Sequence, residues 1–153
     1  MKTIAVRHNE YLITTDKGMM KPEQVHAWLS GESYWAKHIP YDVFLQSMEH
    51  SWCIGILKDD EQVGYARLIT DYSTFAYLAD VFVKEAHRGR GLSKLMMQLI
   101  MEQEWVTRLR RIMLATLDAH DLYRQYGFDN SKFPQRLMEI TRPLIYEQWK
   151  EQV

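Results

Sequence analysis

The sequence predicts a mixed α/β domain in which antiparallel strands come first and a parallel crossover follows. Three observations carry this. Residues 52–57, 63–70 and 77–83 are apolar runs of strand length, rich in β-branched and aromatic residues and separated by short turns. From Leu92 the apolar positions fall at Leu92, Leu95, Met96, Leu99 and Ile100, the three-and-four spacing of an amphipathic helix. A short apolar run at 111–115 then resumes the sheet, and a strand–helix–strand connection of this kind joins parallel neighbours.

The elements follow in order. Residues 10–15 read as a first strand, ended by the turn Asp16, Lys17, Gly18. Pro22 suits the first turn of a helix, where its missing N–H costs nothing, and that helix (about 22–29) carries Val25, Trp28 and Leu29 before stopping near Gly31. A loop over 33–40 holds Tyr34, Trp35 and His38. Asp42 is placed to cap a second helix with Val43, Phe44, Leu45 and Met48 as its apolar set. Residues 52–57 and 63–70 form a hairpin, and 71–74 turn into the 77–83 strand. The following helix runs to about Trp105. A short helix at 119–126, which Thr116 or Asp118 can cap, stops at Gly127. Phe128 starts a strand, 136–141 pairs as another before Pro143, and the tail is frayed helix or coil.

Composition narrows the class. At 153 residues and 46% hydrophobic, the chain fits one domain over 1–153 with a sizeable core. A formal charge of −1 and a pI near 6.6 argue against a nucleic-acid partner. Charge is locally uneven: Lys84, Arg88, Arg90 and Lys94 face Glu85 alone, which suits a small polyanion. The single cysteine, Cys53, excludes an intramolecular disulfide, fits a reducing cytosol and reads as a core thiol. With no run of membrane-spanning length and no signal-peptide pattern, a cytoplasmic protein without a membrane partner is expected. The six histidines show no metal-site pairing, so no metal is expected.

The chemistry concentrates in residues 77–101. A strand, a basic turn with Gly89 and Gly91, and a helix start bring free N–H groups and a positive dipole end to one spot. The turn lacks the Lys-Ser/Thr ending of a nucleotide P-loop and the three spaced glycines of a dinucleotide turn. What remains is a cradle for a pyrophosphate, with Arg88 and Arg90 at its flanks. Arg88-Gly89-Arg90-Gly91-Leu92-Ser93, preceded by Asp80-Val81-Phe82-Val83, resembles motif A of the GNAT superfamily of acyl-CoA-dependent N-acyltransferases, whose pattern is Gln/Arg-x-x-Gly-x-Gly/Ala. Ser93 departs at the last position. Leu122-Tyr123-Arg124-Gln125-Tyr126-Gly127-Phe128 resembles motif B of the same family, with one strand between the two motifs. Thr116 stands where many members place an asparagine.

The resemblance implies a GNAT fold: a central, mostly antiparallel sheet of six to seven strands flanked by helices, with the parallel crossover after the acetyl-CoA-binding turn. It also implies roles. The pantetheine arm of acetyl-CoA, the acyl donor, would pair with 80–83, and a main-chain N–H of Val81 or Phe82 would face the thioester oxygen. The N–H groups of Arg88, Gly89, Arg90, Gly91, Leu92 and Ser93 would hold the pyrophosphate, and Val83 and Thr116 would complete the donor site. Tyr123 matches the family's usual general acid, and a phenol near pKa 10 can serve a thiolate of pKa about 8.5.

The acceptor side is less marked. A primary amine with a pKa near 10.4 is free only about once in a thousand at neutral pH, so a group must take its proton. Asp80, placed by strand alternation between Leu78 and Phe82 on one face, is a candidate; Asp71 is a second, and a structural role stands open for each. Tyr34 and Trp35, with Tyr72 and Phe75, are candidate walls of an amine pocket. The reading is an acetyl-CoA-dependent N-acetyltransferase acting on a primary amine by direct transfer in a ternary complex. The alternative is a non-catalytic acyl-CoA-binding or sensing module. A homodimer is left open.

Overall fold

The computed structural model describes residues 1–150. One six-stranded sheet runs in the order β1-β2-β3-β4-β5-β6, built from Ala5–His8 (β1), Tyr11–Thr14 (β2), Trp52–Lys58 (β3), Glu61–Thr70 (β4), Phe75–Val83 (β5) and Arg111–Met113 (β6). The first four pairings are antiparallel and β5–β6 is parallel. Helices α1 (Pro22–Glu32) and α2 (Tyr41–Glu49) lie between β2 and β3. Helices α3 (Leu92–Met101) and α4 (Glu104–Thr107) carry the crossover from β5 to β6, and α5 (His120–Arg124) and α6 (Ile145–Lys150) follow.

Strand alternation divides the core between the two faces of the sheet. Ile54, Ile56, Leu68 and Leu78 pack with Met96, Met97 and Ile100 of α3. Cys53, Tyr65 and Phe82 pack with Val25 and Leu29 of α1 and Phe44 and Met48 of α2. Both faces of β3 and β4 are therefore covered, which is why those strands read as near-continuous apolar runs.

Four sequence expectations are corrected. The first strand pairs with an edge strand, β1, whose alternating, half-exposed residues give a weak signal; Asn9 adopts a left-handed φ of 53° in the turn between them. Asp42 lies in the first turn of α2 rather than capping it, and Pro40 holds the cap position. The helix expected to reach Trp105 ends at Met101, because Gln103 is extended and its side-chain amide donates to the Leu99 carbonyl at 3.0 Å. No strand forms at Phe128 or over 136–141. The only regular element between α5 and α6 is a single 3₁₀ turn, Pro134–Arg136, begun by a proline that has no N–H for a ladder. The tail from 145 to 150 is helical; 151–153 lie outside the described residues.

Candidate acyl-donor and acceptor site

The site is organised by a bulge in β5. Tyr65 pairs with Phe82 but Arg67 pairs with Ala79, so Asp80 and Val81 stand opposite Ala66 alone. Asp80 takes the left-handed conformation, φ 57°, that the extra residue requires. Aspartate tolerates this better than most residues, at a cost of about 1 kcal/mol. The bulge reverses the alternation. Before it, Ala76 and Leu78 face α3; after it, Val81 and Val83 do so and Phe82 points to the α1–α2 side. The expectation that Asp80 shares a face with both Leu78 and Phe82 is thus wrong, since strict period-two counting cannot see an inserted residue.

Three elements pin the bulge. Trp35 donates its indole N–H to Asp80 Oδ1 at 2.7 Å, and Arg67 Nε donates to Oδ2 at 2.6 Å. Arg67 also reaches Ser51 Oγ at 3.0 Å. The Arg67 and Asp80 side chains are only 15% and 8% exposed, so this is a buried pair in which both carboxylate oxygens accept a hydrogen bond. Phe82 stacks flat on Trp28, ring centroids 4.0 Å apart.

Past the bulge, β5 outruns its neighbour. Only Phe75, Ala76 and Tyr77 pair with β6, so residues 78–83 have no ladder partner on that side among the described residues. The strand then leads into a single 3₁₀ turn, Glu85–His87, and the glycine turn. Gly89 (φ 77°) and Gly91 (φ 75°) are both left-handed, and a Cβ built on either would meet no atom within 4 Å. The backbone therefore faces open space here. Gly91 sits at the N-cap of α3, and no side chain caps the helix. Arg88 Nε is spent on the Val83 carbonyl at 2.9 Å, leaving the rest of its guanidinium beside the turn. Arg90 pairs with Glu10 at 3.0 Å on the surface, a contact weak enough to exchange for a ligand. Leu92 is buried in the α3 face of the core, so it offers a ligand its N–H alone, and Ser93 follows it in the first turn.

Tyr123, on α5, is nine-tenths buried, and its hydroxyl makes no hydrogen bond among the described residues. Burial pushes its phenol above the ordinary value, and the charges of Tyr34 and Asp118 push it the same way. Thr116 Oγ1 accepts from the Ala119 N–H at 3.0 Å and so fixes the entry to α5. Tyr123, Thr116 and His120 all line a groove of about 780 Å³ along the outer side of β6. Tyr34 (64% exposed) and Trp35 stand edge to face at 5.0 Å. Trp35 thus ties this aromatic wall to Asp80.

Other candidates separate from this group. Asp71 accepts from the N–H groups of Ser73, Thr74 and Phe75 and from the Thr74 hydroxyl, which hold its carboxyl well below the usual range; it builds the β4–β5 turn. Tyr72 packs on Trp105 at 5.0 Å. The Cys53 thiol lies 3.2 Å from Tyr65 Oη in the core, pushed up by burial. Sequence reasoning missed two participants. Arg67 gives no signal in β4 beyond being a charge in an apolar strand. Tyr146 of α6 packs against the α1–α2 face of the core, its phenol pushed up by burial and by the charge of Asp80. No group of three or more metal-ligating side chains occurs among the described residues, and no helix there is long and apolar enough to cross a membrane.

Comparison with known proteins finds relatives in sequence and in fold. The Acetyltransferase (GNAT) family pattern matches residues 22–128. A protein of Gibberella zeae named "Putative acetyltransferase" is 33% identical over 135 residues, covering 74% of this chain and 76% of that one. The crystal structure of "a putative acetyltransferase belonging to the gnat family" from Xanthomonas campestris is 45% identical, covers 92% of this chain and 98% of its own, and superposes with a TM-score of 0.87. Glucosamine-6-phosphate N-acetyltransferase from Arabidopsis thaliana shares the fold alone, at 12% identity over 93% of this chain and 98% of its own, with a TM-score of 0.55.

Proposed function

This chain belongs to the acetyltransferase (GNAT) family, and from that premise we propose that it transfers an acetyl group from acetyl-CoA directly to a primary amine in a ternary complex. Acetyl-CoA would supply the activated acyl group. The observation that carries the reading is the bulged β5, whose unpaired edge at 78–83 runs into an open, left-handed glycine turn and an uncapped helix. An added strand-like ligand finds main-chain partners along that edge. The N–H of Val81 or Phe82 serves the thioester oxygen, Val83 continues the strand-like pairing, and the N–H groups of Arg88, Gly89, Arg90, Gly91, Leu92 and Ser93 serve the pyrophosphate. Thr116 borders the donor arm through the α5 entry that it fixes.

Tyr123 acts as general acid. Its raised pKa keeps the phenol protonated across the neutral range, and its hydroxyl has no competing partner among the described residues. Asp80 acts on the acceptor side. With Arg67 and Trp35 fixing its two oxygens, it attracts the acceptor's ammonium and passes the proton to water, and Tyr34 and Trp35 flank the approach. Thiol release from acetyl-CoA with a panel of amines tests the reading. Turnover with at least one amine, without an acetylated enzyme, is expected. Tight acetyl-CoA binding with no turnover on any amine would replace it with a binding or sensing module.

A further inference from the structure

The glycine turn is anchored from the opposite end of the chain. Neither Gly89 nor Gly91 has an atom within 4 Å of where a Cβ would stand, so packing at the glycines does not hold the turn in shape. Among the described residues, the polar contacts that tie 85–91 to a distant part of the sequence come from two neighbours in the β1–β2 hairpin, Glu10 and Tyr11. The Glu10 contact is loose, because its exposed carboxylate is shared between Arg90 at 3.0 Å and Lys58 at 3.5 Å. The Tyr11 contact is firm. Tyr11 opens β2, is 2% exposed and packs in the α3-side core. Its hydroxyl hydrogen-bonds Nδ1 of the half-buried His87 at 2.8 Å, with the two rings edge to face. His87 in turn closes the 3₁₀ turn by donating its N–H to the Lys84 carbonyl at 2.9 Å, and the Lys84 N–H is held by the Val63 carbonyl at 2.8 Å.

We propose that Tyr11 is a positioning residue for the acyl donor: through His87 it fixes the turn in the shape that presents the N–H groups of 88–93, an inference that rests on reading those groups as the pyrophosphate cradle. A glycine turn left loose must be ordered before its N–H groups can converge on a ligand, and that ordering lowers affinity. A phenol whose ring is locked in the core supplies the ordering in the free protein. The Tyr11 hydroxyl has no other partner among the described residues, so removing it releases the imidazole and with it the residue next to Arg88. The effect falls on the pyrophosphate end of the donor. The thioester end lies against Val81 and Phe82, whose conformation is pinned separately by the bulge and the two hydrogen bonds to Asp80.

The test compares two donors on the full chain by calorimetry, directly for acetyl-CoA and by competition for S-acetylpantetheine, which lacks the pyrophosphate. Tyr11→Phe, which removes only the hydroxyl, should weaken acetyl-CoA about tenfold and leave S-acetylpantetheine unchanged. His87→Leu should reproduce that loss. His87→Asn, whose side-chain amide reaches the position of Nδ1, should restore acetyl-CoA affinity to within about threefold of wild type, and Tyr11→Phe combined with His87→Leu should be no weaker than either alone. Equal losses for the two donors, additive losses in the double variant, or failure of His87→Asn to rescue would make Tyr11 a general support of the fold and overturn the proposal. So would a Tyr11→Phe protein that keeps the wild-type preference for acetyl-CoA, with the cradle reading intact. A wild type that binds both donors equally would remove the cradle reading itself, and the role of Tyr11 with it.

Discussion

The two halves of the site are made of different material. On the proposed donor side, residues 78–93 offer backbone: an unpaired strand edge, two left-handed glycines and the bare N-terminus of α3. On the proposed acceptor side, Trp35, Arg67 and Asp80 come from a loop and two strands, and meet only through side chains. A backbone site tolerates side-chain variation but not a change of φ. A side-chain site behaves in the opposite way. The consequence is that donor binding and acceptor recognition should fail under different kinds of substitution.

The largest effect is expected at Gly91. Gly91→Val places a β-branched residue at φ 75°, and its side chain projects into the open space above the turn. Acetyl-CoA affinity measured by calorimetry should fall by about 100-fold or more, a loss of roughly 2.7 kcal/mol, while the subunit core survives. Unchanged affinity would place the pyrophosphate elsewhere.

Tyr123→Phe comes next. The maximal rate should drop by about two orders of magnitude, with the KM for acetyl-CoA within a few-fold of wild type. The pH profile sharpens the assignment. Because the phenol's pKa is raised, its proton is retained until the pH climbs past the ordinary value near 10. The wild-type rate should therefore show no Tyr123-dependent decline up to about pH 9.5. An alkaline limb that sets in near neutrality and vanishes in the variant would contradict the raised value.

Asp80→Ala addresses the other half. It strands the buried Arg67 guanidinium and removes the acceptor of the Trp35 indole N–H, so thermal unfolding should report a loss of roughly 3 kcal/mol. The acceptor KM should rise at least tenfold, and donor affinity should fall by less, since Asp80 also pins the bulge that shapes the donor edge. If donor affinity falls as far as acceptor affinity, the two halves are not separable in this way. The smallest effect belongs to Arg90→Ala, which breaks an exposed pair with Glu10. It should alter stability by under about 0.5 kcal/mol and weaken acetyl-CoA binding a few-fold, more at low salt than at high.

This contrast also explains what the sequence disclosed. A backbone cradle is written locally: the strand, the paired glycines and the helix periodicity lie within 25 consecutive residues, and both motifs were readable in register. Strands β2 to β6 and helices α1 to α3 were legible for the same reason. The bulge at Asp80 was not, because one inserted residue leaves the composition of a strand unchanged while reversing its faces. Nor was the Arg67–Asp80–Trp35 chain, whose members lie 13 and 45 positions apart. The final hairpin follows from strand-like composition at 136–141, but composition alone supplies no ladder partner, and the segment stays irregular after the 3₁₀ turn at Pro134–Arg136.

The claim that the donor is held by backbone is tested most directly by amide hydrogen exchange with and without acetyl-CoA. The account predicts added protection at 80–83 and 89–94, and little change at Tyr34 and Trp35 until an amine is present. Protection confined to the groove beside β6, with 80–83 and 89–94 unaffected, would contradict it.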